Sequence, residues 1–474
     1  MPLMLTMHRN VLSRVAFSLL VLMWIAGACP GAARAEPLVL TLDKALELGL
    51  SNDEMLRQAA VAVAGAQARY TEARSNALPQ LSLSGQYGRN ILKPSFFLPP
   101  AFREGLDAPA RVEIGEDNSF NGAATVTQIL WAAGRVSAGL SAAREFLQTY
   151  HYQEMAATDY ARFGVKQAYF STLLAAAALR IAERSLQTTE EAARVARAGF
   201  EQGTVSRFDV MRAEVELENR RAPLVQARND FDQALMTLRR RCGIEPGQEV
   251  SLADSLSAVA RPASLDTMIA AMRRGSAEVR ALEHLIGARR QFLRIAKAER
   301  YPMLNLSANY AIQSEWSGRF TPPSSLIGTS AAVAVAFQIP IFDGFSAKGK
   351  IGQAQAEVRS AELDLERTVR DKELAVRQSY LSLENAISAL EGREQAVRLA
   401  EEAHRLALVR LTNGLATPLE RLDAELAMTT ARAQLAEALF SARLSMAALE
   451  LAVGSAGFDA VAGTRGHEEE TRNE

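Results

Sequence analysis

The residues best spaced for chemistry are Gly344-Phe345-Ser346-Ala347-Lys348-Gly349-Lys350, which carry the glycine and lysine spacing of a phosphate-cradling loop. Such a loop needs a Ser or Thr after the lysine to hold Mg²⁺, and Ile351 stands there. The spacing is therefore read as a chance match at a strand-to-helix turn. A metal site needs clustered ligands. His8, His151, His284, His404 and His467 are scattered, with no HExxH and no CxxC, and His404 fits a helix seam better than a ligand set. No spacing suggests a nucleophile and its base, although such partners can lie far apart in sequence. Arg239-Arg240-Arg241 reads as a solvated helix end, where cations favour the dipole. The chain is expected not to be an enzyme and to use no cofactor and no metal.

Two glycine breaks carry more promising acids. The first is Gly203-Thr204-Val205-Ser206-Arg207-Phe208-Asp209; the second runs from Gly414 through Thr417, Glu420 and Arg421 to Asp423. An acid in the first turn of a helix can simply offset the dipole. In a ring of subunits, Glu420 and Asp423 would each repeat around the axis, and rings of carboxylates select cations.

Long helices must position these tips. From Gly134 to Gly243 the chain is rich in Ala, Arg, Glu, Gln and Leu, with Gln202-Gly203-Thr204 as its strong break. The pattern predicts one arm of about 65 residues, reaching roughly 100 Å, and a shorter return arm. Such a length requires a coiled coil or a repeat.

The chain is in fact written twice. Pro79-Gln80-Leu81-Ser82-Leu83-Ser84 matches Pro302-Met303-Leu304-Asn305-Leu306-Ser307. Val165-Lys166-Gln167-Ala168-Tyr169 matches Val376-Arg377-Gln378-Ser379-Tyr380, and Gly203 and Gly243 match Gly414 and Gly454. Each copy reads helix, strand, loop, strand, long helix, tip, return helix. The helices are expected at about 35, 65 and 38 residues, so the two shorter ones can stack end to end beside the long one. Val376, Tyr380, Leu383, Ile387 and Leu390 step by four and three, and the phase continues through Val397, Leu408 and Leu411. That is a knobs-into-holes seam, with Glu394, Glu401 and His404 making it partly wet.

The strands alternate. Leu304, Leu306, Ala308, Tyr310 and Ile312 share one face, and Asn305, Ser307, Asn309 and Gln313 the other. Leu81 to Tyr87, Phe120 to Trp131 and Ala331 to Ile339 follow the same rule. Segments of about ten residues with this period mark outer-membrane barrel strands, and Tyr87, Trp131, Tyr310, Trp316, Phe337 and Phe342 suit interfacial girdles near strand ends. A soluble sheet with one buried face alternates identically.

The N-terminus favours the membrane. Arg9 and Arg14 precede the apolar run from Val15 to Ile25, and Ala33-Arg34-Ala35 follows: the pattern of a secretory leader cleaved after Ala35. Ala26-Gly27-Ala28-Cys29 faintly suggests a lipoprotein signal, but ordinary cleavage is expected because Ala26 stands where a large aliphatic residue belongs. Removing Arg9, Arg14 and Arg34 from 53 basic residues leaves 50 against 54 acidic, a charge of −4 with no electrostatic footprint for nucleic acid. Cys242 alone remains, so no internal disulfide is expected. The expected organisation is leader 1–35, first repeat 36–264, second repeat 265–454 and a mobile tail 455–474. Pro94, Pro99, Pro100 and Pro109 make the longer first connection, Ile91 to Asp117, a loop.

This duplicated plan, with an acid six residues after each hairpin glycine, resembles the TolC family of outer-membrane efflux proteins from about Leu40 to Gly454. The resemblance implies an α+β membrane protein: a homotrimer with a twelve-stranded barrel in outer-membrane lipid above a periplasmic helical tunnel. It implies partners at the tips near Gly203 and Gly414: a periplasmic adaptor and an inner-membrane ABC transporter or proton-driven pump. The family's entrance acids fall at Glu420 and Asp423, and at Asp209 on the first hairpin. The tyrosine and arginine that latch the best-known member are Leu411 and Ala416 here, so that latch is absent; Arg207, Arg410 and Arg421 are candidate replacements. The implied function is an exit duct, favoured for type I secretion of a protein cargo such as a toxin. The alternatives are the channel of a drug or metal efflux pump, or a periplasmic coiled-coil protein without a pore.

Overall fold

The structure, a computed structural model, describes residues 38–100, 109–318, 320, 321 and 324–461. The expected leader and its cleavage point lie outside these residues, as does the chain beyond 461.

The first half runs β1 (Leu38–Leu40), α1 (Leu42–Asn52), α2 (Glu54–Ser75), β2 (Gln80–Arg89), β3 (Ser95–Phe97), β4 (Arg111–Glu113), β5 (Asn118–Trp131), α3 (Arg135–Glu201), α4 (Arg207–Cys242) and β6 (Val250–Leu252). The second runs α5 (Leu265–Gly275), α6 (Ala277–Ala298), β7 (Met303–Trp316), β8 (Ile327–Gln338), α7 (Ser346–Thr412), α8 (Pro418–Val453) and α9 (Ser455–Val461). Both long helices have 67 residues and both return helices 36, so the two arms reach about 100 Å each.

The opening helix of each copy, expected as one rod, is broken. Asp53 is extended and caps α2, its carboxylate accepting from the Met55 and Leu56 amides at 2.8 and 3.1 Å. Ser276 breaks the second copy at the equivalent place. The stacking is as the lengths suggest: α2 and α4 both lie along α3, while α5, α6 and α8 lie along α7. Helices α6 and α8 also touch α3, which ties the two copies together.

The two larger buried clusters sit midway along the rods. Leu40, Val165, Tyr169, Leu238 and Cys242 form one buried cluster, roofed by the parallel pair β1–β6. Met272, Val376, Leu383, Leu449 and Val453 form the other. The α7 seam is dry at Val376, Leu383, Ile387, Leu390 and Val397, and half-buried at Tyr380, Leu408 and Leu411. Residues 455–461 are not free chain: they form α9, whose Phe458 and Val461 pack on the second cluster. This corrects the reading of that stretch as a mobile tail.

The strands form one antiparallel sheet, β2-β5-β7-β8. Its register puts Leu81, Val126, Ala308 and Val333 in one row, and Leu83, Ala124, Tyr310 and Ala331 in another. Among the described residues, no helix covers this apolar face. Leu81, Leu83, Val333, Val335 and Phe337 are exposed, as are all twelve residues of β8. A soluble sheet would bury that face, so the alternation has its membrane meaning. Two girdle assignments change: Tyr310 sits mid-strand, and Trp316 is buried beside Tyr87. The connection from Ile91 to Asp117, expected as plain loop, holds the short β3–β4 hairpin and a Lys93–Asp117 ion pair of 3.0 Å.

At the sheet-to-rod junctions, Ala133 and Gly134 and, in the second copy, Gly344 and Phe345 are left-handed. The phosphate-loop look-alike is this turn, and Lys350 pairs with Glu299 at 2.7 Å.

Candidate channel entrance

The tips lie at the far end of the rods from the sheet. Gly203 and Gly414 take φ of +74° and +70°, which an L side chain resists. Each closes its helix: the Thr204 amide donates to Gly199 O, and the Leu415 amide to Arg410 O, both at 2.8 Å. Ser206 and Thr417 then cap the return helices, accepting from the amides of Asp209 at 3.2 Å and Glu420 at 3.3 Å. Asp209 also accepts from the Ser206 hydroxyl at 2.6 Å. These two acids thus occupy one local structure, the third position of a capped helix, where a negative charge offsets the dipole.

Asp423 lies one turn beyond Glu420 on α8 and is exposed, as are Glu420 and Asp209. Arg410 holds Glu420 loosely at 3.7 Å and donates to Leu415 O at 3.2 Å. Of the three arginines considered as latch replacements, Arg421 crosses between hairpins: its guanidinium donates to the Thr188 carbonyl of α3 at 3.3 Å. Arg410 stays within its own hairpin.

Sequence reasoning missed Glu425. It is buried on α8 between both hairpins, with burial holding its carboxyl above the usual range. A signal existed: Leu422, Glu425, Thr429, Arg432, Ala436 and Leu439 step by three and four, so Glu425 sits on a seam. That face lines a groove of about 770 Å³ against α3, with Arg180 and Arg184 on the other wall.

Paired rods, turned tips bearing acids and an uncovered apolar sheet at the opposite end define the subunit of an outer-membrane channel with a periplasmic helical extension. The chain belongs to the outer membrane efflux protein family, whose model matches residues 45–243 and 269–455. It is 27% identical over 335 residues to Protein CyaE of Bordetella pertussis, spanning 70% of this chain and 66% of that protein. Solved channels share the fold. The Campylobacter jejuni CmeC outer membrane channel superposes with a TM-score of 0.73 at 17% identity, covering 88% of this chain and 86% of its own. The open state of the Neisseria gonorrhoeae MtrE outer membrane channel gives 0.71 at 21%, covering 87% and 88%.

Proposed function

We propose that three copies of this chain form a continuous exit duct of a trans-envelope export machine. The observation that carries this reading is the open sheet. Strands β2 and β8 are its two edges and run antiparallel to each other, so β8 of one copy can continue onto β2 of the next. An open edge in lipid leaves backbone groups unpaired, each costing several kcal/mol. The smallest outer-membrane barrels have about eight strands; four cannot close, and three copies supply twelve. In this reading residues 36–264 and 265–454 are the two repeats. The connection from Ile91 to Asp117 faces the cell exterior, and Asp209, Glu420 and Asp423 ring the narrow end. A periplasmic adaptor docks at the tips around Gly203 and Gly414, joining the duct to an inner-membrane transporter.

For the cargo we favour a protein delivered by type I secretion, over the drug or metal cargo of an efflux pump. The sequence relationship to Protein CyaE guides this choice, because the solved channels share only the fold. Two measurements test the reading. Crosslinking of the membrane-embedded protein should stop at trimers; a ladder ending at dimers would overturn the assembly. Deleting the chain from its host should remove a protein from the culture medium, restored by complementation. An unchanged medium with raised sensitivity to drugs or metals would assign it to efflux instead.

A further inference from the structure

Glu425 is 5% exposed, two turns into α8, and its Oε2 has no hydrogen-bond partner. His404 Nε2 on α7 is likewise buried and partnerless, and so is Arg220 Nε on α4. The fourth helix is α3, where Thr188 faces Glu425 and its carbonyl receives Arg421. Both hairpins therefore converge on one carboxylate. The charged groups around it are His404 from α7, Arg220 from α4, which is itself paired with Glu216, and Arg421 from its own helix. Further along the groove are Arg184 of α3 and Arg432 of α8, the latter bound to Glu401 at 2.8 Å.

We propose that Glu425 and His404 form a proton-binding site between the two hairpins, and that the proton held there keeps the hairpins packed. A buried carboxylate with a vacant oxygen is penalised while ionised. A proton removes that charge. Held on Glu425, it turns the vacant oxygen into a donor, and the equally vacant His404 Nε2 supplies an acceptor.

The sign follows from burial. Burial raises the Glu425 carboxyl, outweighing the Thr188 side chain and the positive charge of Arg421, His404 and Arg220, which pull it down. Parting the hairpins returns Glu425 to water and to its ordinary value. The packed state thus binds the proton more tightly. Packing is favoured below the raised value and is lost as pH rises through it.

The test uses the full-length protein in lipid nanodiscs, with spin labels at Glu190→Cys on α3 and Thr430→Cys on α8 in one protomer per assembly. The separated population should grow several-fold as pH rises through the raised value of Glu425, starting from the acid side where the carboxyl holds its proton. Glu425→Gln, fixed in the neutral form, should stay packed throughout, and His404→Gln should move the midpoint. A wild-type distance distribution that ignores pH would overturn the lock, as would a Glu425→Gln variant that follows the wild-type course. If Glu425→Gln fails to assemble, infrared difference spectra of the wild type decide: a protonated carboxyl band surviving after exposed glutamates have ionised supports the site, and its absence removes it. The claim that hairpin separation opens the entrance rests on the duct reading. Separation that follows pH without any change in bilayer conductance would uphold the lock and defeat that reading.

Discussion

At the first tip, Ser206 caps α4 and Asp209 follows; at the second, Thr417 caps α8 and Glu420 follows. Beyond the caps the equivalent positions diverge. Arg212 stands where the second hairpin has Asp423, Val210 where it has Arg421, and Glu214 where it has Glu425. Val210 packs on the small cluster of Ala193, Ala196, Ala213 and Leu217, and Glu214 pairs with Arg197 at 2.8 Å within its own hairpin. Phe208, Met211 and Val215 face outward along α4. The first tip is thus internally satisfied and outwardly apolar. The second carries two exposed acids and sends Arg421 and Glu425 across to its neighbour. Helix length and turn geometry tolerate no drift, because a change in either would misalign rods of about 100 Å. Side chains beyond the cap answer to whatever stands opposite them, and so they are free to differ.

The largest expected effects test the shared part. Leu238 and Leu449 are equivalent and fully buried. Each change to Ala should destabilise by about 2–5 kcal/mol, lowering the thermal midpoint followed by circular dichroism. A large loss in one copy only would mean that the copies do not share the load.

Next come the acids. Glu420→Gln with Asp423→Asn should lower cation preference and multivalent cation block in planar bilayers, by roughly 10-fold in local cation concentration. Asp209→Asn, one acid with Arg212 a turn away, should do less. Equal effects from the two hairpins would erase the contrast drawn between them, and no effect from either would leave these acids as dipole compensation alone.

Ser206→Ala and Thr417→Ala should each cost about 1 kcal/mol. Faster hydrogen exchange at the amides of Asp209 and Glu420 is the readout, and it should be alike at both tips.

The smallest effect concerns Cys242, which occupies the place of Val453 in the second copy. Burial pushes its thiol up to about 11. A raised thiol stays neutral below that value, so at pH 8 only about one part in a thousand is thiolate. Maleimide labelling of the folded protein should be negligible at pH 8 and should appear as pH approaches about 11 or on unfolding. Ready labelling at pH 8 would show that the first cluster is looser than the second.

Much of this architecture was legible in the sequence. The duplication, the two 67-residue arms, the four strands and the tips around Gly203 and Gly414 followed from repeats, periodicity and glycine punctuation, which are local signals. The dipole-offsetting placement of Asp209 and Glu420 was legible for the same reason, since the first turn after a glycine break is a local feature. The breaks at Asp53 and Ser276 were not, because apolar period continues through a one-residue kink. The β1–β6 pairing joins segments about 200 residues apart, each too short to carry a pattern of its own. Glu214 and Glu425 make the point most sharply. Both are glutamates at the same register of the two repeats, yet one is solvated in an ion pair and the other is buried with a vacant oxygen. Periodicity assigns a residue to a face of its helix. What packs on that face comes from a distant part of the chain, and that contact alone sets whether the charge is paid in water or in the protein interior.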